Sequence, residues 1–548
     1  MKRFISLLLV FVLTLGITTP AAFAAEEERL PIVYIRGNGE PLYDADGNEL
    51  GADSEENSVE TDAIVESVVN ILKPFVIEGM LFDKWDNYGK AIYEELSPLF
   101  ADVGLDENGN AKNGTGVSPE RLAKSEMDAQ GSWHYDMHIE YEFCFDWRLS
   151  PYDHVDRLHQ YVLDVMKATG KTQVSMYARC LGGGLLMAYL EKYGHLGHIK
   201  NVLFVDVLSN GSDIISKTFS GKLEFDADYL ENYLGQLDYC AKTNKGIGFE
   251  FSELLNEIVF KTMDYFNQIN TIDVLLYGID GLYSKLYKAL IPALLHATGY
   301  ATLVNYWTCV YEEDMDEALD LVFGTEGTES RTKYKGLIDK ILYYRERVSS
   351  DLPGFYDQLT EDGIWFGFTA KYGYLAMIPI VKNERIPGDS LVNIESSAFG
   401  ATAAEIGKTL SDEYVAARIA EGNGKYISPD KTVDLSTAYC PDRTWVLKNA
   451  HHDEFQPVFP IIYEFLDGTR ETVDTVSAGT QFMIFNPETR EVAEMTESNC
   501  ADLSFISIAE EKPTVITVFK AFIAFFKMIF KVFISLIKGE ADFGSLFG

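Results

Sequence analysis

The residues Ala178-Arg179-Cys180-Leu181-Gly182, with Gly183 and Gly184 following, set a thiol between small neighbours at i−2 and i+2. The run Thr172 to Ala178 before it reads as a strand and Gly182 to Tyr193 after it as a helix, so Cys180 stands at a strand-to-helix junction. A turn that tight tolerates only small residues on either side of its centre, because anything larger would strike the adjoining strand or helix. It lifts the central side chain to the top of the sheet, at a helix N-terminus whose dipole favours thiolate over thiol. The chemistry open to such a group is attack on a carbonyl carbon, with an imidazole to carry the proton. The bland alternative is a buried structural cysteine, a common fate of free thiols. The other five cysteines (Cys144, Cys240, Cys309, Cys440 and Cys500) are scattered and show no CxxC or Cys/His spacing of a zinc site. No metal or organic cofactor is implied, and a chain this long can bury a core without disulfides.

The elements that must position Cys180 follow from hydrophobic periodicity. Leu30 to Ile35 is a short β-branched run that ends at Arg36-Gly37-Asn38-Gly39, a buried strand followed by a glycine turn. Phe143 to Arg148 is strand-like, and Pro151 to Lys167 carries Val155, Leu158, Tyr161, Val162, Val165 and Met166 on one helical face. The next expected strand is Val202 to Val205. Strand, helix, strand, helix, strand at this spacing means right-handed crossovers and a parallel sheet, hence an α/β fold. From about 210 to 360 the chain turns helical and aromatic, and Ile272 to Leu303 is apolar nearly all round, as an insertion covering an apolar site would be. Strands return at Ile364 to Thr369 and Arg443 to Leu447. Residues 475–495 read as a hairpin around Asn486-Pro487-Glu488-Thr489, in a small C-terminal appendage to the core. Ala63 to Phe82 has helical spacing, 106–116 reads as a surface loop, and Asp44-Ala45-Asp46-Gly47-Asn48 reads as a turn rather than half of a calcium loop.

Taken together, the Cys180 turn, the stretch Phe145-Asp146-Trp147-Arg148-Leu149 and the Arg36-Gly37-Asn38-Gly39 turn resemble the lecithin:cholesterol acyltransferase branch of the α/β-hydrolase lipases, with cysteine where that family has serine. The resemblance covers roughly 30–210 and 362–460. It implies a parallel-centred α/β-hydrolase sheet, to which the residues outside the resemblance add a large helical cap insertion, a C-terminal hairpin and an amphipathic helix. Its motif order places an acid next, which nominates Asp389 in Ile386-Pro387-Gly388-Asp389-Ser390-Leu391-Val392, with Asp206 as the second candidate. The histidine then comes from the loop after the last strand. His451 and His452 are the only histidines beyond 296; His452 fits the family spacing better, and His451 stays open. The oxyanion hole implied is the backbone N–H of Leu181 and of Asn38. Family members carry histidine or proline where this chain has Arg36, a change that backbone donors do not feel. The implied activity is hydrolysis or transfer of an acyl group from a lipid-like ester through Cys180, His452 and Asp389. The other reading is a catalytically impaired lipid- or protein-binding module on the same scaffold.

Composition and the chain ends bear on location. The 548 residues hold 46 Lys and Arg against 84 Asp and Glu, a net charge of −38 that argues against nucleic acid as partner. Lys2 and Arg3, an apolar run from Phe4 to Ile17 and the small residues Ala21-Ala22-Phe23-Ala24-Ala25 form the pattern of a secretory signal cut after Ala24; the run is too short to span a bilayer. The expected organisation is a signal peptide over 1–24, core over 25–210, cap over 211–360, core again over 361–465, a hairpin region over 466–512 and an apolar helix over 513–548. In that last segment Lys520, Lys527, Lys531 and Lys538 fall within roughly 20° of one direction on a helix, suiting a membrane interface with lysines reaching the headgroups. The alternative is a helix roofing the chain's own groove. Flotation on liposomes should carry the full chain upward and leave a chain ending at 512 behind; equal flotation of both assigns the helix to the roof.

Overall fold

In β1, Ile32–Ile35, every residue is buried, and β4, Val174–Arg179, is buried at all but its last position. Strands this continuously apolar cannot have a wet face, so they must lie inside a sheet covered on both sides. A computed structural model describes residues 29–37, 41–49, 86–98, 100–118, 131–133, 138–222, 290–376 and 387–504, with isolated positions at 70, 74, 120, 122 and 236. The remaining strands of the main sheet are β2 (Ser132–Trp133), β3 (Ile139–Phe143), β5 (Ile199–Val205), β6 (Trp365–Tyr372), β7 (Thr444–Lys448), β8 (Phe482–Asn486) and β9 (Glu491–Glu494). Their order across the sheet is β9-β8-β7-β6-β5-β4-β1-β3-β2. The seven inner strands pair in parallel, and an antiparallel strand closes each edge. The architecture is α/β.

Alternation along the strands sorts the core into two layers. Val33, Ile35, Met176, Ala178, Val202 and Phe204 turn to one face, against α1 (Val155–Thr169), α2 (Gly182–Tyr193) and α6 (Leu352–Glu361). Ile32, Tyr34, Tyr177, Leu203, Val205 and Leu447 turn to the other, under α7 (Phe459–Asp467). A third apolar cluster joins Leu181 to α3 (Asp213–Ser220), α4 (Met315–Phe323) and α5 (Lys335–Arg347), described parts of the segment expected to be a helical cap. Because the inner strands run the same way, their C-terminal ends share one edge of the sheet, and the loops after β1, β4, β5, β6 and β7 converge there. That edge is where open parallel sheets bind ligands.

Three expectations need correction or lie out of reach. The strand expected over Phe143 to Arg148 ends at Phe143; Asp146 to Leu149 is a turn, because the Asp146 carboxylate accepts the Arg148 backbone N–H at 3.1 Å and leaves no ladder to continue. The C-terminal hairpin is not an appendage. Its first strand, β8, pairs in parallel with β7, α7 makes the crossover, and Phe482, Met483 and Phe485 are buried by the sheet's own layers. Hairpin patterning names the two strands but not the partner of the outer edge. The signal peptide, most of 63–82, most of 223–289 and the lysine-striped helix over 513–548 lie outside the described residues.

Arg148 ties the 100–118 loop to the sheet edge. Fully buried, it grips Asp146 through two hydrogen bonds of 3.0 and 2.7 Å and donates to the carbonyls of Asp102, Val103 and Thr115. Removing the guanidinium strands a buried carboxylate, which costs far more than the pair itself contributes. Arg148→Met should therefore lower the free energy of urea unfolding by about 3–5 kcal/mol. Adding Asp146→Asn to it should recover part of the loss.

Candidate active site

The turn expected at Cys180 is present. β4 ends at Arg179, α2 begins at Gly182, and Cys180 has φ 51°, a left-handed conformation that a side chain rarely takes. Its N–H donates to Val205 O at 3.3 Å, and its carbonyl accepts from Gly183 and Leu208 N–H. Those bonds to α2, to the next strand and to its loop hold the strain in place. Gly182 is required by contact: a Cβ there would lie 2.4 Å from Arg36 O and 2.7 Å from Ile35 O. Gly37 is required for the same reason from the facing side, since its Cβ would come within 2.7 Å of Cys180 Cβ and 3.3 Å of the sulfur. The first glycine turn thus presses its backbone against the thiol.

Asp389 follows β6 and His452 follows β7, and the two meet. His452 Nδ1 lies 2.7 Å from Asp389 Oδ2, and His452 N–H donates to Asp389 O at 2.8 Å. The other carboxylate oxygen of Asp389 accepts the backbone N–H groups of Leu391 and Val392. With one oxygen fixed by main chain and the other on the ring, Nδ1 is held as the protonated nitrogen. Nε2 is buried, and the Cys180 side chain is among the groups that interact with the ring. Burial alone would lower the imidazole, but Asp389 and Cys180 outweigh it and raise it to about 10. Burial likewise works against the Asp389 carboxylate, and the His452 imidazolium and Lys371 ammonium reverse this and hold it well below the usual carboxylate range.

The remaining candidates fall elsewhere or out of view. His451 points away from Asp389: its Nε2 is 2.9 Å from Ser390 Oγ, its ring packs edge-on against Tyr374, and burial lowers it. Asp206 is close enough for its charge to be felt by Asp389 and His452, yet its carboxylate lies 2.6 Å from Lys371 Nζ, both side chains wholly buried. Leu181 sits at the mouth of α2, buried, its carbonyl accepting from Gly184 and Asn305. Asn38 lies outside the described residues, although Gly37 beside it is in place. Sequence reasoning missed Lys371. It occupies a buried position in a strand whose other residues carry no charge, and that lone charge was the available signal.

The wall around the thiol is apolar. Cys180, 7% exposed, shares a cluster with Leu181, Leu208, Ile215, Trp307 and Val392. Cys144, Cys180, Cys309, Cys440 and Cys500 are not in disulfides. Among the described residues no group of three or more His, Cys, Asp and Glu side chains could hold a metal ion, and no helix is long and apolar enough to cross a membrane.

No family model matches this sequence, and no curated protein matches it. Among solved structures, 62% of the chain aligns with 75% of a chain in the crystal structure of the Tle4–Tli4 complex, at 10% identity and a TM-score of 0.22.

The His452 shift has a consequence for stability. A histidine raised in the folded state stabilises fully below its unfolded value, near 6.5, and loses that contribution as pH rises through about 10. Guanidinium unfolding of the protein and of His452→Ala should show a gap that is widest at about pH 6 and narrows by about pH 10.

Proposed function

We propose that this chain is a secreted α/β-hydrolase, similar to the lecithin:cholesterol acyltransferase branch, that hydrolyses or transfers an acyl group from a lipid-like ester. The carrying observation is the 2.7 Å contact between His452 Nδ1 and Asp389 Oδ2, on a ring whose charge state also responds to Cys180. Cys180 attacks the ester carbon as thiolate, and charge develops on the carbonyl oxygen. The backbone N–H groups of Leu181 and Asn38 receive that oxyanion. His452, kept as imidazolium by Asp389, gives its Nε2 proton to the departing alkoxide and leaves a thioester on Cys180. Water or an acceptor hydroxyl then attacks, with His452 taking the proton and thiolate leaving.

The apolar cluster beside the thiol supports an acyl chain or similar group as the occupant of the groove. The Lys2-Arg3 and apolar N-terminal run supports export, and 513–548 supports attachment to a membrane surface. A thioester deacylates less readily in a site shaped for serine, which supports a slow enzyme and keeps the binding-module reading as the competing outcome.

With p-nitrophenyl esters of graded chain length, Cys180→Ala and His452→Ala should each lower kcat/KM by about 10³-fold or more, and Asp389→Asn by about 10²–10⁴-fold. Iodoacetamide should label Cys180 ahead of the other cysteines, and His452→Ala should slow the labelling. Turnover that is absent at every chain length, or indifferent to Cys180, would leave the binding module. A faster Cys180→Ser enzyme would identify deacylation as the slow step.

A further inference from the structure

The main-chain carbonyl of His452 accepts from two cationic side chains, Lys371 Nζ and Arg179 Nη2, each at 3.2 Å. Neither belongs to the loop that carries the histidine. Lys371 lies on β6 with no exposure, and its other partner is the Asp206 carboxylate at 2.6 Å. Arg179 is the last residue of β4, immediately before Cys180, and its guanidinium lies 3.6 Å over the Phe455 ring. Desolvating an ammonium and a carboxylate together is more costly than packing an apolar pair of the same volume, so stability alone does not explain Lys371 and Asp206. Their geometry does something an apolar pair cannot. A carbonyl held by two donors from different strands fixes the peptide that follows the imidazole-bearing residue, while the His452 N–H is already held by Asp389 O.

We propose that Lys371 and Arg179 are positioning residues, a two-cation clamp on the His452 carbonyl that keeps the ring turned to Asp389 and Cys180 together. Asp206 serves as the counter-charge that lets Lys371 stay buried. Arg179 makes the clamp report on the nucleophile as well, because any shift of the Cys180 turn moves a donor of the histidine loop. The proposal rests on the Cys180–His452–Asp389 reading above. The charged groups acting near the imidazole are Asp389, Cys180, Asp206, Lys371 and Arg179, with His451 and Asp453 beside it on its own loop.

The test follows the hydrogen-bonded Nδ1 proton of His452 by NMR in the full chain, assigned by its loss in His452→Ala, as pH is raised. One variant is the pair Asp206→Asn with Lys371→Met, which removes one charge of each sign and leaves the net charge around the ring unchanged. The other is Arg179→Met, which removes a positive charge and by electrostatics alone would raise the imidazole. The clamp predicts that the midpoint falls from about 10 in both, by at least about 1 unit toward the ordinary histidine value. Either variant decides the matter if the other does not fold. An unchanged or raised midpoint in a folded variant overturns the clamp while leaving the triad intact. A parent protein that shows no hydrogen-bonded Nδ1 proton lost in His452→Ala overturns the triad, and the clamp with it.

Discussion

The backbone of Cys180 is held at φ 51°, and the rest of the site is arranged around that one sharp reversal. An L-residue does not stay there unaided; the cost is of order 1–3 kcal/mol, and neighbouring structure must over-determine it. Here it does so through the Cys180 N–H on β5 and the Cys180 carbonyl under two N–H donors. The same reversal needs Gly182 to pass within a Cβ's reach of the Ile35 and Arg36 carbonyls, and Gly37 to pass beside the sulfur. Three strands, β1, β4 and β5, therefore have to be in register before the thiol can stand where it does.

Around that turn lies a concentration of buried charge that would be destabilising if any member were missing. Asp389, His452, Asp206 and Lys371 are almost without solvent, and each has a counter-charge within hydrogen-bonding distance. Low dielectric makes such pairs strong when complete and costly when broken. The pairing also divides the labour between two carboxylates. Asp389 faces the ring, and Asp206 is turned to the ammonium. Arg148 and Asp146 repeat the arrangement at the edge of the sheet, where they tie down the 100–118 loop instead of the His452 loop.

Much of this was legible beforehand, for reasons that differ from element to element. β1, β4, β5 and α2 were legible because apolar runs of strand length alternate with helical periodicity and glycine turns. The Cys180 turn was legible because its constraint is local: small residues two positions away on either side. Asp389 and His452 were reached through resemblance, since no local pattern links residues 63 apart. The end of β3 was misread because aromatic residues continue past Phe143, while the Asp146 side chain takes over the backbone hydrogen bonding. The helix α7 went unread because its short apolar stretch does not distinguish a helix from a strand.

The sequence by itself determined the parallel α/β alternation, the tight turn at Cys180 and the acidic balance of the chain, because each depends on neighbours within a few residues or on composition. Tertiary structure alone decided that His452 and not His451 faces Asp389, that Asp206 is taken by Lys371, and that the C-terminal hairpin extends the main sheet. Those outcomes turn on which loop ends a shared sheet edge brings together and which way each side chain leaves its loop. Distances of that kind are fixed only when strands far apart in the chain have paired.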